Sequence, residues 1–329
     1  MIRVAHSIFD TASLLAAIQG QFDAPPFDSC LFFRSFINDT YRLSAGTKQY
    51  YLRVSQAGWR SRNEVQAEID AIEAIHRNGG SVARPVVRND GGSVFALDAP
   101  EGQRPAVLFH EAPGNDLNYD GPDGSANAVR YGQAVAKLHN ATSQVTIIEG
   151  RQPLDVQALL DVPRATVLSK LPPEHRDYFT QLCDRLRRYV VDHDNLTLGF
   201  CHGDLNSSNV HFERDRATTI DFDCCGWGWL AGDIAGFARG IALHRMPGRE
   251  IQTLIESFLR GYESERTIAP VDREALPAFM LIQRIWVAAL HLDGHHRWGN
   301  IFYGPQYAVR LMHWLQQWEH VLDSKPSWL

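Results

Sequence analysis

The densest run of groups able to do chemistry is Cys201-His202-Gly203-Asp204-Leu205-Asn206-Ser207-Ser208-Asn209, followed after a short interval by Ile220-Asp221-Phe222-Asp223. Two carboxylates and a carboxamide recur around one turn. Phosphoryl transfer needs such a set: one carboxylate to take or orient a hydroxyl proton, and oxygen ligands for a magnesium ion that neutralises the charge developing on the phosphates. Asp204, Asn209 and Asp221 supply those groups. Taken singly, each is also what a hairpin corner uses for Asx-turns and caps. The chemical reading rests on the joint pattern HGDxxxxN, hairpin, IDFD, in that order.

The interval from Asp204 to Asn209 equals that of the kinase catalytic loop HRDxxxxN, with Gly203 where arginine stands there, and Asp221 follows across a hairpin as the DFG aspartate does. On these residues the chain resembles the aminoglycoside phosphotransferase and choline kinase-like enzymes, from about Leu31 to about His320. The stretch IDFDCCGWGWLAGD, Ile220 to Asp233, with a late helix bearing arginine and tryptophan, is similar to the branch holding stress response kinase and type II homoserine kinase. The resemblance implies an α+β, bilobal protein-kinase-like fold: an N-terminal antiparallel β-sheet lobe with one main helix, and a larger, mainly helical C-terminal lobe. It also implies ATP and Mg²⁺, with Asp204 as catalytic base, Asn209 and Asp221 as metal ligands, and His202 as the structural histidine opening the loop. Asp233 resembles the aspartate that caps a following helix and braces the catalytic loop. Asp223 stands where the family places a second acid or amide. Alternation along a strand would instead turn it to the face opposite Asp221, and contact with substrate or metal stays open beside that reading.

In such folds a cation on the third strand meets the nucleotide phosphates and is held by a glutamate on the next helix. The third strand here reads Tyr50-Tyr51-Leu52-Arg53-Val54, so Arg53 takes the place of the usual lysine and exchanges a compact ammonium for a wide planar fork. Lys48, just after the Gly46 turn, is the competing choice. Of two glutamates, Glu64 is explained by a capping box with Ser61. Glu68 falls inside the stripe Val65, Ile69, Ile72, where a carboxylate is costly unless it meets a cation, and is expected to pair with Arg53. The glycine-free turn Ser35-Phe36-Ile37-Asn38-Asp39-Thr40 offers backbone N–H groups and the Ser35, Asn38 and Thr40 side chains to phosphate. By resemblance, Phe109, His110 and Glu111 at the hinge offer backbone groups to adenine.

The elements that must carry these groups follow from local pattern. A first helix, about Thr11 to Ile18, ends at Gly20 and belongs to an N-terminal extension, 1–28. Short β-rich runs follow at Leu31–Phe36, Thr40–Leu43 and Tyr50–Val54, then the capped helix ending at Gly79-Gly80, then strands at Pro85–Val87, Val94–Asp98 and Ala106–Phe109. Beyond Pro113-Gly114 the pattern turns helical: Ala126–His139, Val156–Leu160, Tyr178–Val191, Ile251–Tyr262, Leu276–Leu292 and Tyr307–Leu322. One β-type island, Val210–Glu213 and Thr218–Phe222, carries the polar cluster. Residues 1–110 form the expected nucleotide-binding lobe and 111–329 the catalytic one.

Composition bounds the rest. The chain has 329 residues, 44% hydrophobic and 21% charged, with a net charge of −6 and no basic run, which excludes a nucleic-acid or anionic-membrane footprint. Only four of 32 cations are lysine, so arginine must do the phosphate work. Five cysteines, two of them adjacent, fit a reducing cytoplasm better than a disulfide framework. The apolar stretch Phe279–Leu292 is too short to span a bilayer. His291, His295 and His296 share a helix end but lack the further ligands of a zinc site. Trp227, Trp229, Trp286 and Trp298 read as core or as an aromatic cage for a cation. Arg284, inside an apolar helix, requires a buried acid or a substrate. Between Asp221 and Asp233 there is no room for a long activation loop. The expectation is therefore an ATP- and Mg²⁺-dependent kinase acting on the hydroxyl of a small molecule. A Ser/Thr protein kinase of the stress response type and a nucleotide-binding pseudokinase are the alternatives.

Overall fold

The computed structural model describes residues 2–145, 148–243, 245, 247–294, 297 and 303–324. Helix α1 (Thr11–Ile18) is started by Asp10, whose side chain accepts from the Ser13 N–H. Strands β1 (Ser29–Ser35), β2 (Asn38–Ala45), β3 (Lys48–Ser55), β4 (Val94–Ala99) and β5 (Gly102–His110) form one antiparallel sheet in the order β1-β2-β3-β5-β4. Helix α2 (Arg62–Arg77) follows β3 and opens with the Ser61–Glu64 capping box. Pro85–Val87 contributes only isolated bridging, at Pro85 with Phe109, rather than a strand, in keeping with a proline that has no N–H to give a ladder.

The rest is mainly helical: α3 (Gly124–Thr142), a π turn at Gln157–Asp161 leading into α4 (Val162–Lys170), α5 (Pro173–Asp192), α6 (Leu230–Ala242), α7 (Arg249–Glu263), α8 (Pro270–Asp293) and α9 (Pro305–Trp318). Two small antiparallel ribbons are set among them. One pairs β6 (Leu198–Cys201) with β9 (Gly226–Trp229), the other β7 (Val210–Glu213) with β8 (Arg216–Thr219). Helix α8 is long and apolar enough to cross a membrane by length and composition, yet 78% of its apolar window is buried inside the fold, as in a core helix.

Two apolar clusters hold the molecule. The smaller lies between α1 and one face of the sheet, with Leu14, Ile18, Tyr41, Leu43, Leu52 and Val54 among its members. The larger joins the α2 stripe Val65, Ile69, Ile72 and Ile75 to Val94 and Val107 of the sheet and to the helical region. Apolar packing thus runs continuously past the hinge. Close helix crossing is set by glycine: a Cβ at Gly132 of α3 would lie 2.0 Å from the Phe258 carbonyl oxygen, and one at Gly261 of α7 would lie 2.1 Å from that of Val129.

A fully buried ion pair sits in the sheet. The alternation of β2 turns Asp39 inward with Tyr41 and Leu43. Arg104 of β5, fully buried, gives Nη2 to Asp39 Oδ2 at 2.6 Å, Nε to the Ser55 carbonyl at 2.9 Å and Nη1 to the Ser7 carbonyl at 2.7 Å, which ties the N-terminal extension down. Removing one member of a buried pair strands the other. Arg104→Met is expected to cost about 3–5 kcal/mol, read as a lower urea midpoint; an unchanged midpoint would show that the pair holds nothing.

Candidate active site

The polar turn after β6 is held from behind by one carboxylate. Asp233, on the first turn of α6, accepts the His202 N–H at 2.7 Å on Oδ2 and the Gly203 N–H at 2.8 Å on Oδ1. Oδ2 also meets His139 Nε2 at 3.3 Å, and the other ring nitrogen of His139 meets the Tyr262 hydroxyl at 2.8 Å. Helix α6 begins at Leu230 with Trp229 as its N-cap residue, so Asp233 lies inside the helix and caps the loop, not the helix. Gly203 has φ of 85°, and a Cβ there would lie 2.3 Å from the Cys224 carbonyl oxygen, so no larger residue fits. His202 is buried. Its Nδ1 accepts the Asp204 N–H at 3.3 Å and its Nε2–H donates to the Ile220 carbonyl at 2.8 Å, which joins the loop to the segment carrying Asp221.

These bonds place Asp204 at the centre of the turn. Its Oδ1 accepts from Arg239 Nη2 at 2.8 Å and its Oδ2 from Asn206 Nδ2 at 3.1 Å. Asn209 gives its amide nitrogen to the Asp204 carbonyl at 2.8 Å, which leaves its carboxamide oxygen as the atom available to a metal. Asp221 has φ of 64° and ψ of 63°, a left-handed backbone uncommon outside glycine and typical of functional strain. Its side chain keeps 32% exposure yet is ringed by protein. Burial raises its pKa, the Arg53 charge partly offsets this, and the neighbouring Asp223 raises it further. A carboxylate and a carboxamide oxygen are the hard oxygen donors that Mg²⁺ prefers, so the residues present fit that ion.

On the sheet side, Arg53 and Glu68 meet as a bidentate pair, Nη1 to Oε1 at 2.8 Å and Nη2 to Oε2 at 2.6 Å, both side chains buried. Arg53 Nη1 also lies 3.5 Å from Asp221 Oδ1, and its guanidinium sits 5.3 Å from the centre of the Phe109 ring. Burial acts to lower the basicity of Arg53, but Glu68 and then Asp223 and Asp221 outweigh it and raise it. Arg34, on β1, reaches Asp221 Oδ2 at 3.6 Å. Ser35 ends β1, while Asn38 and Thr40 belong to β2, so the turn between the strands is tight, with the Phe36 N–H on the Asn38 carbonyl at 3.0 Å. At the hinge the His110 N–H donates to the Arg84 carbonyl at 3.0 Å and the Leu108 carbonyl accepts from Val86 at 2.7 Å. The His110 amide expected to face adenine is therefore already paired within the protein. The Glu111 side chain is exposed.

A model of the Phosphotransferase enzyme family matches residues 29–275. The chain belongs to this family. It is 30% identical over 290 residues to an uncharacterized protein of Deinococcus radiodurans, covering 87% of this chain and 83% of that one. It is 22% identical over 276 residues to the amicoumacin kinase of Bacillus subtilis, 80% of each chain. Among solved structures, a microcompartment-associated aminopropanol kinase superposes with a TM-score of 0.76 at 23% identity, over 96% of this chain and 99% of that one. An amicoumacin kinase in complex with AMP-PNP, Ca²⁺ and Ami gives 0.74 at 20%, over 97% of this chain and 95% of that one. The fold is the bilobal kinase-like one, and family membership makes the chain a phosphotransferase.

Within this phosphotransferase, Asp223 is fully engaged by protein. It lies on a 3₁₀ turn, Phe222–Cys224, rather than on a strand, and its Oδ2 accepts from Trp59 Nε1 at 2.7 Å and Asn38 Nδ2 at 3.0 Å. Arg60 Nε adds a contact to Oδ1 at 3.4 Å, and Arg60 and Arg151 both reach the Asp223 carbonyl. Burial works to raise its pKa, but Arg53, Arg60 and the Trp59 and Asn38 hydrogen bonds hold it below the ordinary value. This clamp joins the sheet to the catalytic turn. Trp59, Arg60 and Arg151 carried no sequence signal of it. Arg239 did carry one, an arginine inside the small apolar helix LAGDIAGFARGIA, the same signal that singles out Arg284.

Among the described residues, Arg284 meets no acid. Its Nη1 donates to the Tyr307 hydroxyl at 3.2 Å. His291 Nδ1 meets the same hydroxyl at 2.6 Å, and its ring lies 5.2 Å from Phe36 across the cleft. His295, His296 and Trp298 lie outside the described residues. Trp227, Trp229 and Trp286 pack at the edge of the large core, as ordinary core residues do. Burial, followed by the Arg284 and Arg239 charges, pushes His291 down to about 4 from an ordinary 6.5. Between those values the unfolded chain binds a proton that the folded one excludes, so this contribution to stability is complete above pH 6.5 and is lost as pH falls toward 4. His291→Gln is expected to lose less stability than wild type between pH 7.5 and 4.5, by on the order of 2–3 kcal/mol in urea titrations. Equal losses would show that His291 is protonated in the fold.

Proposed function

We propose that the chain transfers the γ-phosphate of ATP to a hydroxyl group of a small molecule. The observation that carries this reading is the convergence of Asp204, Asn209 and Asp221 beside the buried Arg53–Glu68 pair. Asp204 accepts the hydroxyl proton as the acceptor oxygen bonds to the γ-phosphorus and the bond to the β–γ bridging oxygen breaks, releasing ADP. Arg239 and Asn206 hold one oxygen each of that carboxylate, which fixes the direction in which it presents its lone pairs. A magnesium ion bound through Asn209 and Asp221 would neutralise charge on the phosphates. Arg53, fixed by Glu68, and Arg34 flank the same position as cations for the nucleotide. Asp223 acts in this reading as the clamp between sheet and loop.

The reading gives residues 1–110 the nucleotide and 111–329 the acceptor. A small acceptor is supported by the short path from Asp221 to α6, which leaves no long segment to dock a polypeptide, and by the aminopropanol and amicoumacin kinases among the relatives. The complex of one such kinase with AMP-PNP and Ca²⁺ supports nucleotide with a divalent ion. The five cysteines are free and buried, in keeping with a cytoplasmic enzyme.

ATP with Mg²⁺ is expected to raise the melting temperature of the wild type and to do so less for Asp221→Asn. Asp204→Asn should keep the nucleotide shift and lose on the order of 10²–10⁴ in kcat, measured as ADP release with a panel of small alcohols. The absence of a shift with either ATP or GTP, or full turnover by Asp204→Asn, would overturn the reading.

A further inference from the structure

Arg284 is 5% exposed, and its protein contacts among the described residues are one neutral hydroxyl and two aromatic rings. The guanidinium carbon lies 5.7 Å from the ring centres of both Tyr307 and Trp314, and Nε has no acceptor. Aromatic faces recover part of the cost of burying a cation, but they supply no counter-charge. Two further arginines border this cluster. Arg310 also lies over the Tyr307 ring, 5.6 Å from its centre, and Arg239, 8% exposed and also with an Nε that has no acceptor among the described residues, projects from the neighbouring α6 onto Asp204.

These groups belong to the acceptor side of the cleft. Helix α8 packs on α6 through Gln283 Nε2 to the Gly232 carbonyl at 2.6 Å, and α9 through Trp314 Nε1 to the Ala242 carbonyl at 2.9 Å. Tyr307 accepts from Arg284 and bonds His291, whose ring faces Phe36 of the β1–β2 turn. The chain Arg284–Tyr307–His291 therefore leads from the buried cation to the mouth between the sheet and the helices. His291, kept neutral there, brings no competing proton.

We propose that the acceptor alcohol carries a carboxylate, and that Arg284 is the residue that binds it while Asp204 faces the hydroxyl. This rests on the phosphotransferase reading above. A planar fork with unused donors matches a carboxylate edge to edge. A cationic amino alcohol would meet like charge at the same place.

The test uses the full chain with ATP and Mg²⁺ and acceptors matched in size but not in charge: 3-hydroxybutyrate and serine, 1-amino-2-propanol and choline, glycerol, and glycerol phosphate. Hydroxy carboxylates are expected to release ADP. Arg284→Met should raise their KM by on the order of 100-fold with kcat changed only a few-fold. Arg284→Lys, which keeps the charge and loses the fork, should fall between, and it carries the test if the Met variant does not fold. Succinate, which has no hydroxyl, should raise the melting temperature of wild type, raise that of Arg284→Lys less, and leave that of Arg284→Met unchanged. A purely structural Arg284 would lower the melting temperature without splitting KM from kcat, which would overturn the proposal. Turnover of amino alcohols alone, or of glycerol phosphate alone, would overturn it and leave the kinase standing. A lack of ADP release in every arm together with no ATP-induced shift would overturn both.

Discussion

The two hydrogen bonds from the His202 and Gly203 amides to the Asp233 carboxylate fix the position of everything else in the cleft. Both amides are buried and would otherwise be unsatisfied, and a charged acceptor makes the bonds stronger than neutral ones. The constraint propagates in two directions. Through Gly203 it forces the left-handed turn that presents Asp204. Through His202, whose Nε2 is bound to the Ile220 carbonyl, it positions the strained Asp221. Asp204 and Asp221, the proposed proton acceptor and metal ligand on different segments, thus share one anchor, which itself sits on α6. Gly236 of that helix lets it approach the loop, since a Cβ there would lie 2.5 Å from the Leu205 carbonyl oxygen.

The cleft sorts its acids by how completely they are neutralised. Glu68 and Asp223 are buried and bonded on both oxygens, Glu68 by Arg53 and Asp223 by Trp59, Asn38 and Arg60. Asp204 and Asp221 keep about a third of their side-chain surface open, 30% and 32%. The opposite pKa directions of Asp221 and Asp223 express this difference. Both feel the penalty of burial, yet only Asp223 receives enough donors to overcome it. An acid left short of donors is one that gains most from a cation.

The candidate site was legible in the sequence because its polar groups are local. Asp204 and Asn209 lie within one turn, Asp221 follows a hairpin, and the Arg53–Glu68 pair followed from a carboxylate lying on an apolar stripe. Helix α6 entered only as the element that follows Asp233, its apolar pattern interrupted by Gly232, Gly236 and Gly240, of which Gly236 alone packs against the turn that carries Asp204. The clamp on Asp223 was hidden for another reason. Its donors come from residues 38, 59, 60 and 151, and no local pattern reports a contact across more than seventy positions. The strand expected through Phe222 gave way to a 3₁₀ turn, which is how Asp223 leaves the alternation that a strand would impose.

The replacement of lysine by arginine on β3 shows how these levels combine. A lysine held by one glutamate would keep further donors to swing toward phosphate. Arg53 spends both Nη groups on Glu68 and lies against Phe109 and Asp221, so its position is fixed before any nucleotide arrives. A fixed cation can set the local potential but cannot follow the phosphates as they move. Arg34, 55% exposed and already facing Asp221, has the freedom that Arg53 lacks. A chain with four lysines among 32 cations would in this way divide between two arginines what one lysine does elsewhere. On the proposed function, the buried one orders the site and the exposed one meets the ligand.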